Sequence, residues 1–140
     1  MIIKRDKNYR VWDRKNKVMI YSFEYSEPYE FFEMPAYDRD DIMENIGMRD
    51  KNNVDIYEGD IVKYTISYPN FAGEETITPV VYMNSVYLEA ECGFYPFMKS
   101  NGGLPAARTV EVVGNIYNNP ELVKEASRWM LDKFWVKYEI

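Results

Sequence analysis

Ile46-Gly47-Met48-Arg49-Asp50-Lys51-Asn52-Asn53-Val54-Asp55-Ile56-Tyr57-Glu58-Gly59-Asp60-Ile61-Val62 is a polar, glycine-punctuated run that ends in β-branched residues. Two glycines bracket an Asp50-Lys51-Asn52-Asn53 cluster, the residue types with which a chain reverses direction. Gly59 permits a second reversal, Asp60 can accept hydrogen bonds from turn amides, and Ile61-Val62 opens a strand. No side chain in the run has neighbours of the kind that would activate it for chemistry. The stretch therefore describes architecture, a sharp entry into a small β-barrel filled by its own side chains.

Working outward, Ile61 to Tyr68 is rich in β-formers, and Pro69 to Glu75 carries turn residues. Thr76 to Met83 and Val86 to Ala90 are predicted strands around Asn84-Ser85, which gives an antiparallel meander. Gly93 to Ala107 is looser, with Asn101-Gly102-Gly103 as a joint, and the sequence leaves its order open. Thr109 to Val113 alternates as a further strand closed by Gly114. Upstream, Tyr9 to Asp13 and Val18 to Phe23 flank the polar Arg14-Lys15-Asn16-Lys17 and read as a hairpin. From Glu24 to Asp41 the chain is acidic and aromatic, and Pro28 and Pro35 break any long helix. A short strand is expected at Tyr29 to Met34, and a single helical turn capped by Asp41 over Asp41 to Asn45.

The clearest helix start is Asn118-Asn119-Pro120-Glu121, where Asn119 can cap, Pro120 occupies the first helical position and Glu121 meets the dipole. It predicts a C-terminal α-helix within 120–140, with Val123, Ala126, Met130 and Phe134 on one face. Trp129, Phe134, Trp135 and Tyr138 form an aromatic concentration there. Core packing accounts for one face, but Trp129 and Trp135 do not easily share it, so these four are candidate residues of an oligomer interface.

The 140 residues suit a single domain spanning 1–140. With 46% hydrophobic and 29% charged residues the chain has the composition of a folded protein, and 16% aromatics, including 13 tyrosines, lean toward strands and an interface. No apolar run approaches the ~18 residues of a membrane span, and the N-terminus lacks a signal-peptide core. A cytoplasmic protein without a membrane partner is the expectation. The single Cys92 fits a reducing compartment and reads as a small strand residue.

Net charge is −6, unevenly spread: residues 1–20 sum to +5, residues 21–62 to −9 and the remainder to −2. Such a split describes either a dipolar surface that self-associates or a basic arm that meets phosphate. The first is favoured, because an acidic chain repels a polyanion outside that patch. Arg10, Arg14, Lys15 and Lys17, with Tyr9 and Trp12, are the candidate nucleic-acid contacts. Lysines at a hairpin tip also have the plainer role of discouraging edge-to-edge aggregation.

Three ordered segments carry a family resemblance. Tyr9-Arg10-Val11-Trp12-Asp13 with Lys15-Asn16-Lys17 and Met19-Ile20-Tyr21, then Gly47-Met48-Arg49-Asp50-Lys51-Asn52 with Ile56-Tyr57-Glu58-Gly59-Asp60-Ile61-Val62, then Glu111-Val112-Val113-Gly114-Asn115-Ile116-Tyr117-Asn118-Asn119-Pro120-Glu121-Leu122 are similar to motifs of the YopX-like family of phage and prophage proteins. The core motifs fall at 9–23, 46–68 and 109–122. The resemblance implies a phage or prophage origin and an elaborated SH3-type β-barrel, and it implies no activity. Asn53 stands where family members usually have glycine, a harder residue at that turn although Asn tolerates positive φ. The segment after Leu122 extends past the usual ending.

The chain has no histidine, which excludes Ser-His-Asp and Cys-His mechanisms and every zinc site that requires imidazole. Phosphate-loop and dinucleotide-binding glycine patterns are absent. Asp50-x-Asn52 opens like a calcium loop, but Asp55 and Ile61 stand where that loop needs glycine and glutamate. Asp38, Asp40, Asp41 and Glu44 read as a solvated acidic face in preference to a metal site. The expectation is an accessory protein without catalytic residues, cofactor or metal, mainly β with a C-terminal α-helix. It would self-associate and bind a host or phage macromolecule, with nucleic-acid binding through the basic hairpin as the alternative.

Overall fold

The computed structural model describes residues 8–24, 42–66, 75–84, 92–97 and 104–123. Within them the chain is mainly β. β1 (Tyr9–Asp13) and β2 (Val18–Tyr21) form the expected hairpin, and the Tyr21 amide is taken by the Glu24 carboxylate at 2.6 Å. At the hairpin tip Asp13 accepts from the Lys15 and Asn16 amides and from the Asn16 side chain. The Asn16 bonds hold its carboxyl below the usual carboxylate range.

The next element corrects an expectation. In place of the helical turn expected over Asp41 to Asn45, Ile42–Arg49 is a strand, β3, because Ile42, Met43 and Glu44 pair with Val11, Arg10 and Tyr9, and Asp41 lies outside the described residues. Propensity over five residues yields to this ladder and to burial of Met43 at 0% exposure. Gly47 therefore lies inside a strand and not in a turn. Its φ of +85° falls between Asn45 and Arg49, where the register against β4 (Asp55–Tyr57) shifts, which is a bulge.

Two turns of the glycine-punctuated run follow. In the first, Asp50 Oδ1 accepts from the amides of Asn52 and Val54 while Oδ2 takes the Val112 amide at 2.9 Å. Asn53 adopts φ +65°, the conformation its amide side chain tolerates. In the second, Gly59 at φ +88° lets the chain pass from β4 into β5 (Asp60–Thr65).

β4 closes the sheet ordered β2-β1-β3-β4, whereas β5 is the central strand of a second sheet ordered β6-β5-β9. The expected strand over Thr76 to Met83 is split into β6 (Glu75–Pro79) and β7 (Val81–Asn84). Between them Val80 accepts the Gly59 amide at 2.9 Å and donates to Asp60 at 2.8 Å. β7 pairs with β8 (Cys92–Tyr95), and the expected strand at Val86 to Ala90 lies outside the described residues. β9 (Glu111–Asn115) starts after a 3-10 turn at Ala107–Thr109 and runs through Gly114. All the pairings among the described residues are antiparallel, and the sheets curl as a half-barrel.

Ile56, Val62, Tyr64, Val80 and Val110 form the main buried cluster, and Met43 with Val81 forms a second. Trp12 packs on the second and stacks on Tyr117 with centroids 5.0 Å apart. The described start of the predicted C-terminal α-helix is a 3-10 turn, Pro120–Val123. Asn119 Oδ1 turns back to accept the Asn115 amide, and the Leu122 amide bonds to Asn119 O at 3.1 Å, closing a tighter turn than an α-helix makes. Residues 124–140 lie outside the described residues, as does the strand expected at Tyr29 to Met34. Among the described residues no helix is long and apolar enough to cross a membrane.

Candidate binding cleft at the joint between the sheets

The turn from Tyr57 to Asp60 joins the two sheets, and its backbone is held both from within the turn and from other strands. The Glu58 amide donates to Glu44 O, the Tyr57 amide to Asp60 Oδ2 at 2.8 Å, and Gly59 O accepts from Ile116. A Cβ on Gly59 would stand 2.8 Å from Met43 Sδ, so packing and φ both require glycine there.

Arg10 reaches into this joint from β1. Its Nη2 lies 2.8 Å from Asp60 Oδ1 and 3.1 Å from Glu58 O, and its guanidinium carbon sits 4.8 Å above the Tyr57 ring. The Arg10 and Asp60 side chains are 3% and 4% exposed. Among the described residues Arg10 Nε has no hydrogen-bond partner. Burial pushes the Asp60 carboxyl above its usual range, while the Arg10 charge and the Tyr57 amide pull it back. Asp50 behaves oppositely: burial pushes it up, but the Val112, Val54 and Asn52 amides outweigh that and leave its carboxyl below the usual range.

A cleft of about 360 Å³ opens beside the pair. Its aromatic walls are Tyr21, Phe23 and Tyr57; Val54 and Val112 add apolar surface and Asp55 a carboxylate. Tyr21 lies 5.1 Å from Phe23 in a near-parallel stack and meets Tyr57 edge-on at 5.5 Å. Burial raises the Tyr57 hydroxyl above its usual value. Asp55 Oδ1 accepts from Arg49 Nε at 2.9 Å, and Asp55 Oδ2 from Asn45 Nδ2 at 3.3 Å.

The candidate nucleic-acid residues separate. Arg14, Lys15 and Lys17 stay exposed at the hairpin tip, but Arg10 is withdrawn from that surface because Asp60 and Glu58 O hold its guanidinium inside. The candidate interface residues Trp129, Phe134, Trp135 and Tyr138 lie outside the described residues, as do Asp38, Asp40 and Asp41 of the acidic cluster; Glu44 is part of β3. Among the described residues no group of three His, Cys, Asp or Glu side chains could hold a metal ion. Sequence reasoning missed Tyr21, Phe23 and Tyr57 as one constellation. The available signal was an arginine between Tyr9 and Trp12 in one motif and an aspartate three residues after Tyr57 in another.

The fold and joint define a mainly β protein of curled half-barrel form. The model of the family described as YopX protein matches residues 23–124, and the chain belongs to that family. The match begins at Phe23, after the hairpin that carries Arg10. No curated protein matches the chain. Among solved structures it is similar to the crystal structure of protein EF1440 from Enterococcus faecalis, with 21% identity over 86% of this chain and 100% of that one and a TM-score of 0.51. At that identity the likeness concerns the fold alone.

Proposed function

We propose that this chain is a phage or prophage accessory protein that acts by binding and not by catalysis. It is a small, elaborated SH3-type barrel that self-associates and holds a host or phage macromolecule in the cytoplasm of the bacterial cell. The observation that carries this reading is the use made of the buried charges at the joint. Both Asp60 oxygens are engaged, by Arg10 and by the Tyr57 amide, and Asp50 accepts three backbone amides. Carboxylates so engaged hold loops together and are poorly placed to move protons. What faces outward at the same place is aromatic and apolar, with Phe23 63% and Val54 48% exposed, the surface of a contact site. The nucleic-acid alternative loses support, since it retains Arg14, Lys15 and Lys17 without Arg10.

Light scattering of the intact chain across the micromolar range tests the association. The expected result is a mean mass that grows with concentration and falls back when Trp129 and Trp135 are both changed to Ala. A monomer at every concentration removes self-association from the account.

A further inference from the structure

The hairpin of β1 and β2 is largely held by its own bonds. Its strands pair over four positions, from Arg10 with Tyr21 to Asp13 with Val18, the Tyr9 amide donates to Ser22 Oγ at 2.9 Å, and Asp13 closes the tip. What it takes from the rest of the chain is a seat for one face. Arg10 and Trp12 project from the same side of β1. Asp60 Oδ1 and Glu58 O accept from the Arg10 guanidinium, Tyr57 lies under it, and Trp12 stacks on Tyr117. Pairing of Tyr9, Arg10 and Val11 with Glu44, Met43 and Ile42 completes the seat. The residues that receive the hairpin all follow it in sequence and fall inside the span matched by the YopX family model.

The structure thus shows what this seat holds, and a second copy of the chain carries an identical hairpin. Exchange between copies remakes the same ion pair, ring stack and strand pairing with no new surface to build, which is a low-cost route to a dimer. An emptied seat would leave Asp60 buried without its counter-charge, so exchange is reciprocal and closes on two copies, each filling the other. The covalent tie decides the competition with the closed chain. Residues 25–41, which lie outside the described residues, join the hairpin to β3 with a contour length of roughly 55–60 Å. A tether of that length presents the hairpin to its own seat at an effective concentration of about millimolar or below, so the exchanged form gains as the protein is concentrated.

We propose that two copies of this chain exchange their N-terminal hairpins, each contributing Arg10 and Trp12 to the joint of the other. This rests on the reading of the chain as self-associating and adds a contact separate from the C-terminal aromatic residues. The Asn45 amide donates to Asn8 O at 2.9 Å, so the next pair, Tyr9 with Glu44, is a non-hydrogen-bonded one with Cα atoms about 4.5 Å apart, a spacing a disulfide can bridge. One chain carrying Tyr9→Cys and another carrying Glu44→Cys, both with Cys92→Ser, are refolded together from urea at high concentration and oxidised. The two new thiols lie on different chains and meet where the hairpin of one sits in the joint of the other. A covalent heterodimer is expected on a denaturing gel, joined at these two positions by mass spectrometry, and it is expected to be lost when Lys15→Cys at the exposed tip replaces Tyr9→Cys. Arg10→Met and Asp60→Asn chains give a second measurement that does not require either to fold well alone. An exchanged pair of the two has one native Arg10–Asp60 seat and one without charge, so the co-refolded mixture is expected to melt above either variant. No cross-link at these positions, equal cross-linking from Lys15→Cys, or a mixture that melts as its two components side by side would overturn the proposal. Light scattering separates it from the broader reading: a chain that associates without the cross-link loses hairpin exchange alone, whereas a monomer at every concentration ends self-association and exchange together.

Discussion

Replacing Arg10 by Met keeps a long unbranched side chain and removes the guanidinium. In the native chain that group is buried, 2.8 Å from Asp60 Oδ1 and 3.1 Å from Glu58 O. Its loss leaves Asp60, 4% exposed, with the Tyr57 amide at 2.8 Å as its remaining described partner. Removing one member of a buried ion pair costs about 3–5 kcal/mol, mainly because the other charge is left uncompensated. In a domain of this size that lowers the melting temperature by roughly 10–20 °C. The sign of the pH dependence follows from Asp60. Burial already raises its carboxyl, and without Arg10 the rise is larger. A carboxyl whose folded-state pKa is raised adds stability below its unfolded value of 3.8 and loses that contribution as pH rises through the folded value. The Arg10→Met deficit is therefore greatest at neutral pH and shrinks in mild acid, and adding Asp60→Asn recovers part of it. Urea unfolding followed by tryptophan fluorescence, to which Trp12 on Tyr117 contributes, reads these differences. A variant within about 0.5 kcal/mol of the native chain at neutral pH would refute the reasoning and return Arg10 to the solvated arm.

Gly59→Ala and Gly47→Ala impose similar backbone strain, about 1–3 kcal/mol each, since both positions have positive φ. Only Gly59→Ala also forces a Cβ to within 2.8 Å of Met43 Sδ, so thermal denaturation should show it the more damaging of the two by about 1–2 kcal/mol. Asp50→Asn is expected to cost about 1–3 kcal/mol at neutral pH and to speed hydrogen exchange at the Val112 amide. Because the Asp50 carboxyl is lowered, its contribution is present above the unfolded value of 3.8 and lost as pH falls through the folded one, so that deficit narrows in strong acid. Fluorescence anisotropy with labelled duplex DNA at low salt should stay flat; binding that disappears when Arg14, Lys15 and Lys17 become Ala would restore the nucleic-acid alternative.

Features fixed by neighbouring residues were legible in the sequence. Gly59 reverses the chain, Asp60 accepts a turn amide, Asn53 takes positive φ and Tyr9 to Tyr21 makes a hairpin, each from contacts within a few residues or across one turn. Features fixed by distant strands were not. Ile42 to Asn45 extends as a strand because Tyr9 to Val11 and Tyr57 lie alongside, and those four residues carry no trace of that. Arg10 read as a member of a basic patch because six other cations share residues 1–20 with it, whereas its place is decided by Asp60, fifty residues on. The cleft is harder still, since Tyr21 and Phe23 come from the end of the hairpin and Tyr57 from the joint between sheets. Asn119 shows a local signal with a different outcome: its side chain bonds back to Asn115, and a 3-10 turn follows.

Sedimentation velocity of the intact chain, over a concentration series at low and at moderate salt, addresses the binding function most directly. The account predicts reversible assembly that strengthens with concentration and weakens as salt screens the opposed charges of residues 1–20 and 21–62. A single monomeric species under every condition would contradict it.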